Sequence, residues 1–165
     1  MAKTHPTSSD NFQITSDSVE NTKKLGEKIG SLVENRIVFA LTGEFGSGKT
    51  SFVQGLAKGL DVPHNYYITS PSFTLINEYP GRYRLFHIDL YRIDKLNDIE
   101  DIGLYDILEE NSVIAIEWAD KLSNVVSFDH VSARLEISDE NSRKISITAF
   151  GFEEINLLRK LKNCY

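Results

Sequence analysis

The feature that most constrains this chain is an apolar run, Ile37-Val38-Phe39-Ala40-Leu41, that ends at once in the glycine-rich turn GEFGSGKT, residues 43–50. A continuous β-branched and aromatic run of this length is the pattern of a central strand covered on both faces. Gly43, Gly48, Lys49 and Thr50 fill the frame G-x-x-x-x-G-K-[ST], the P-loop or Walker A pattern. Glycines let successive backbone N–H groups turn inward around phosphates, and the helix that follows presents its positive N-terminus. The residues of the loop, Glu44, Phe45, Gly46, Ser47, Gly48, Lys49, Thr50 and Ser51, are therefore the candidate nucleotide-binding set. Lys49 is expected to reach the β- and γ-phosphates and the Thr50 hydroxyl to bind Mg²⁺. From Lys49 onward, Phe52, Val53, Leu56, Ala57 and Leu60 share one helical stripe, so the turn lies between a buried strand and an amphipathic helix.

The rest of the chain fits around that unit. Phe12–Thr15 alternates as a short edge strand, with Ser16 or Asp17 as N-cap of an amphipathic helix over 17–34. Strands are expected at 75–79 and 83–90, joined at Pro80-Gly81, and a second buried run, Val113–Ile116, ends at Glu117-Trp118. Short acidic helices fill 95–110, a hairpin turns at 139–142 between strands 131–138 and 143–149, and a helix closes the chain near 153–161. This order predicts a single α/β P-loop NTPase domain over 12–165, three-layered, with a mixed, mainly parallel central sheet, preceded by a flexible polar tail, 1–11.

Composition excludes several classes. At 165 residues with 41% hydrophobic and 25% charged, the chain is of ordinary globular make-up. Its net charge of -6 argues against a free-standing nucleic-acid binder. That charge is local: residues 94–110 hold seven acids against Lys95 alone, either a solvated helical face or a surface for a basic partner. One cysteine, Cys164, leaves no disulfide framework. With no long apolar run and no apolar h-region in the tail, a cytoplasmic protein is expected, without a membrane role.

A P-loop enzyme needs further acids at neighbouring strand ends. Asp89 and Glu117 both follow apolar strand residues, at the carboxyl ends where ligands of α/β sheets bind. They are the candidate catalytic pair: one holds Mg²⁺, with Thr50, and the other orients or deprotonates the attacking water. The hydroxyl-rich stretch TSPSFT, 69–74, which includes Ser72 and Thr74, suits a switch-like segment or else a simple turn. His87, on an otherwise apolar strand, is expected to be packed and hydrogen-bonded. Neither D-x-x-G nor [NT]-K-x-D occurs, so adenine is preferred to guanine. A small-molecule kinase is the alternative reading, although 94–110 lacks an arginine-rich lid.

Taken in order, GEFGSGKTSF, TSPSFTLINEY, FHIDLYRI, IGLYDIL and IEWAD resemble the bacterial tRNA threonylcarbamoyladenosine biosynthesis ATPase family, TsaE, over residues 15–150. The resemblance implies a small cytoplasmic Mg²⁺-dependent ATPase acting with TsaB and TsaD in forming N6-threonylcarbamoyladenosine at position 37 of tRNAs that read A-starting codons, with tRNA met through those partners. It implies that Lys49 and Thr50 serve phosphate and Mg²⁺, that Asp89 is the Walker B-like acid and Glu117 a metal or catalytic acid, and that Trp118 is required. It further implies nucleotide contacts near Ser18 and Asp120.

Overall fold

Strand β2 (Ile37–Thr42) explains the layering. Its odd residues Ile37, Phe39 and Leu41 join one buried cluster, and its even residues Val38 and Ala40 join another. Successive side chains of a strand point to opposite faces, so a strand apolar at every position must be covered twice. One face is covered by α1 (Val19–Leu32), α2 (Lys49–Gly59) and α5 (Phe152–Lys162). The other is covered by α3 (Leu96–Asp101), α4 (Leu104–Glu109) and a 3₁₀ turn, Ala119–Leu122. The computed structural model describes residues 9–122 and 127–165.

The remaining strands are β1 (Ser9–Ser16), β3 (Ile76–Tyr79), β4 (Leu85–Asp89), β5 (Val113–Glu117), β6 (His130–Ile137) and β7 (Arg143–Phe150). They form one seven-stranded sheet in the order β1-β7-β6-β2-β5-β4-β3. The central four, β6-β2-β5-β4, run parallel, whereas β1, β7 and β3 pair antiparallel at the flanks. The expected three-layer α/β architecture with a mixed sheet, parallel in its centre, is the one observed. Parallel order brings the carboxyl ends of β2, β4 and β5 to one edge.

Two local expectations are corrected. The cap of α1 is Ser18, not Ser16 or Asp17: its extended backbone lets its side chain accept from the Asn21 N–H at 3.2 Å. Ser16 instead bonds the Ser18 carbonyl at 2.9 Å and the Thr22 hydroxyl at 2.8 Å. Residues 9–11, read as part of a polar tail, belong to β1, where Ser9 pairs with Phe150 and Asp10 with Ala149. A strand there is held by the ladder of β7, so alternating burial and not apolar content marks its start. Residues 1–8 of that tail lie outside the described residues.

Candidate active site

Residue parity decides which side chains reach the loop. On β5, Ile114 and Ile116 enter the α3–α4 cluster, so Val113, Ala115 and Glu117 face α2. On β4, Phe86 and Ile88 do the same, leaving Leu85, His87 and Asp89 on the α2 side. Asp89 and Glu117 are register partners across β4 and β5. Both carboxylates are buried, beside the start of α2.

The loop itself turns through left-handed backbone at Gly46 and Gly48, the latter being the N-cap of α2. A Cβ at Gly43 would lie 2.4 Å from the Leu135 carbonyl, so the chain passes too close to β6 for any side chain there. Lys49 is buried; its Nζ donates to the Gly43 carbonyl at 2.6 Å and the Glu44 carbonyl at 3.0 Å. The same ammonium stands 4.2 Å from the centre of the Trp118 ring. Trp118 packs against Phe45 and Tyr91 with ring centres 5.2 and 5.1 Å away. Burial lowers the Lys49 pKa from the ordinary lysine value, and the charges of Glu117, Asp89, Asp120 and Glu44 act in the opposite sense. Trp118 has φ of 58°, a left-handed conformation that costs a non-glycine residue about 1–2 kcal/mol. Strain of this kind is held in place by its surroundings, here the aromatic cluster and β5.

The acids are tied in differently. Glu117 Oε1 accepts from the Thr50 hydroxyl at 2.9 Å and lies 2.8 Å from His87 Nε2. Asp89 Oδ2 accepts from the Ser70 hydroxyl at 2.5 Å, and Oδ1 accepts from the Tyr91 N–H at 2.9 Å. Thr50, Glu117 and Asp89 thus gather hard oxygen donors of the kind Mg²⁺ prefers. Among the described residues, no three His, Cys, Asp or Glu side chains form a metal cage. A Mg²⁺ ion that keeps waters and takes substrate oxygens fits this donor set, because it does not demand an all-protein cage.

A cleft of about 450 Å³ opens over these groups. Of the residues expected from sequence, Ser18, Phe45, Gly46, Gly48, Lys49, Thr50, Ser51, Ser72, Asp89, Glu117 and Trp118 line it. Four others stand apart from its walls. Glu44 contributes its carbonyl to Lys49 while its side chain is exposed, and Ser47 is buried beneath the loop. Thr74 is exposed and donates to Asn77 at 3.0 Å. Asp120 is exposed in the 3₁₀ turn and acts on Lys49 through its charge. His87 is packed and hydrogen-bonded, as expected.

Tyr91 and Arg143 were not singled out by the sequence, and Ser70 only as part of the stretch 69–74. Tyr91 and Ser70 adjoin residues already singled out, and both bond Asp89. Arg143 lies on the β6–β7 hairpin and donates to the Gly46 carbonyl at 2.9 Å, holding the loop from a strand 97 residues away. Nothing local in the sequence signals that contact.

A family model described as threonylcarbamoyl adenosine biosynthesis protein TsaE matches residues 16–145. The chain belongs to the TsaE family. Among its relatives, a protein of Treponema pallidum named tRNA threonylcarbamoyladenosine biosynthesis protein TsaE is 36% identical over 136 residues, 82% of this chain and 99% of the relative. The TsaE protein of Aquifex aeolicus is 38% identical over 138 residues, 82% of this chain and 94% of its own. The crystal structure of Bacillus subtilis YdiB superposes with a TM-score of 0.81, covering 96% of this chain and 99% of that one at 24% identity. That likeness shows that the two chains share one fold. Among the described residues of this TsaE-family chain, no helix is long and apolar enough to cross a membrane.

Proposed function

We propose that the chain is a Mg²⁺-dependent ATPase that supports formation of N6-threonylcarbamoyladenosine at position 37 of tRNAs reading A-starting codons, acting with TsaB- and TsaD-like partners in the cytoplasm. The observation that carries this reading is the 2.9 Å bond between Thr50, the first hydroxyl after the loop lysine, and Glu117, at the end of the adjacent parallel strand. It joins the phosphate-binding turn to an acid across two elements, as a phosphoryl-transfer site requires.

Each residue has a task that its surroundings support. The loop amides and the α2 N-terminus attract phosphate. Lys49 has three donors, two of them on loop carbonyls, and the third, with no acceptor among the described residues, can meet a phosphate oxygen. Thr50 gives its hydrogen to Glu117 and keeps oxygen lone pairs for a cation. Mg²⁺, when bound, neutralises charge developing on the phosphate oxygens. Asp89 is held at both oxygens by Ser70 and the Tyr91 amide, which fixes a buried carboxylate where it can orient or accept a proton from water. Lys49 is buried beside the Trp118 ring, which Phe45 and Tyr91 back, and a desolvated ammonium attracts phosphate more strongly.

Reconstitution tests the reading. With TsaB, TsaD, tRNA and the small-molecule substrates, the wild-type chain plus Mg²⁺·ATP is expected to support repeated cycles of tRNA modification, and Glu117→Ala to stop them. Equal yield over many cycles without this chain, or with the variant, would overturn the proposal.

A further inference from the structure

His87 is fully buried in the middle of β4, between Phe86 and Ile88. Its Nδ1 is also buried and has no hydrogen-bond partner among the described residues. A buried polar atom left unpaired costs about 1–3 kcal/mol, which a leucine at this position would not incur. The polarity of the ring therefore works against the fold unless its other nitrogen returns something. That nitrogen, Nε2, lies 2.8 Å from Glu117 Oε1.

An ionised carboxylate only accepts, so Nε2 must be the donor, and a neutral ring then leaves Nδ1 as a bare acceptor. The register makes the contact possible: His87 stands opposite Ala115, and the small alanine lets the ring reach diagonally to Glu117, opposite Asp89. Thr50 from α2 and His87 from β4 thus converge on the same oxygen of Glu117. The last torsion of a glutamate is broad, and a single donor leaves the carboxylate free to swing. Two donors from two elements fix it, and leave Oε2 without a hydrogen bond among the described residues.

We infer that His87 is the positioning residue of this site, its Nε2–H holding Glu117 so that the second carboxylate oxygen is kept for the divalent cation of the bound nucleotide. This rests on the reading above that Thr50 and Glu117 serve Mg²⁺·nucleotide. Partners that orient a metal ligand typically contribute ten- to hundredfold in metal affinity.

The test is calorimetric titration of ADP, with graded MgCl₂ and with EDTA, into the full-length wild type, His87→Leu and His87→Gln. In His87→Leu the Mg²⁺ concentration that half-saturates the gain in ADP affinity is expected to rise about tenfold. His87→Gln, whose amide N–H also reaches towards Oε1, is expected to recover most of that loss, and ADP affinity in EDTA to agree within about twofold across all three. A purely structural histidine would lower thermal stability without moving the Mg²⁺ requirement. A wild-type Mg²⁺ requirement in His87→Leu, or equal impairment of the leucine and glutamine variants, would overturn the inference. Nitrogen-15 NMR of the wild type gives a readout independent of variant folding: the ring proton is expected on Nε2, and a proton on Nδ1 alone would overturn it. No Mg²⁺ effect in the wild type would overturn the nucleotide-site reading and this inference together, whereas an effect that survives in His87→Leu would overturn only the tether.

Discussion

Lys49 carries the conflict on which the site is built. For the phosphate contact proposed for it the residue must be charged, yet it is buried beside the Trp118 ring and its pKa is lowered by that burial. Between the folded value and the ordinary lysine value of about 10.4, the unfolded chain binds a proton that the folded chain has released, so this residue's share of stability rises with pH through that window. Below the window Lys49 is charged in both states and its burial is a constant cost, offset by Glu117 and Asp89. Phosphate adds negative charge beside Nζ and raises the pKa again. Nucleotide binding is therefore expected to take up protons increasingly as pH climbs towards the lysine value, measured by calorimetry in buffers of different ionisation heat. Lys49→Arg, always charged, should take up none. Wild-type binding with no proton uptake on the alkaline side would contradict this account of the lysine. The lysine's place in the loop was legible because G-x-x-x-x-G-K-[ST] is a local motif; the packing around it, drawn from Phe45, Tyr91 and Trp118 on three separate loops, was not.

At the level of elements, the pair α1–α2 ties the cap residue Ser18 to the loop helix. The helices touch backbone to backbone through glycines. A Cβ would lie 2.0 Å from the Lys23 carbonyl at Gly55 and 2.2 Å from the Glu27 carbonyl at Gly59. From the other side it would lie 2.3 Å from the Phe52 carbonyl at Gly26 and 2.5 Å from the Leu56 carbonyl at Gly30. Gly55→Ala must push the helices apart, although alanine is the better helix former. It is expected to cost about 1–3 kcal/mol, seen as a melting temperature lower by roughly 3–10 °C. An unchanged melting temperature would show that the helices can separate freely. Periodicity disclosed both helices but not this contact, since a glycine inside one helix has meaning only from the helix packed against it. The strands were legible for the opposite reason. Val113–Ile116 is apolar at every position and had to be doubly covered, whereas β1, with alternating exposure and a polar start at Ser9, depends on its pairing with β7.

Across the molecule, parallel order at the sheet centre brings the loop after β2, Asp89 at the end of β4 and Glu117 at the end of β5 to one edge. The antiparallel flank then returns Arg143 to the loop tip from the far side. This last closure is a property of the topology alone and no stretch of sequence encodes it. The net charge of -6 likewise has a place: its acids lie in and around α3 and α4, on the face away from α1 and α2. Of them, Asp94 faces Lys121 at 3.9 Å and Glu110 faces Arg84 at 3.5 Å, exposed pairs worth at most about 1 kcal/mol each. This edge of the sheet is proposed to bind and hydrolyse Mg²⁺·ATP. The most direct measurement is steady-state ATP hydrolysis by the wild type, Lys49→Ala and Glu117→Ala, with nucleotide affinity followed in parallel. The wild type should turn over with Mg²⁺ and stop in EDTA. Lys49→Ala should lose affinity about ten- to hundredfold, the worth of a charged hydrogen bond to phosphate, and Glu117→Ala should bind nucleotide yet fail to hydrolyse it. Turnover that persists in both variants would contradict the account.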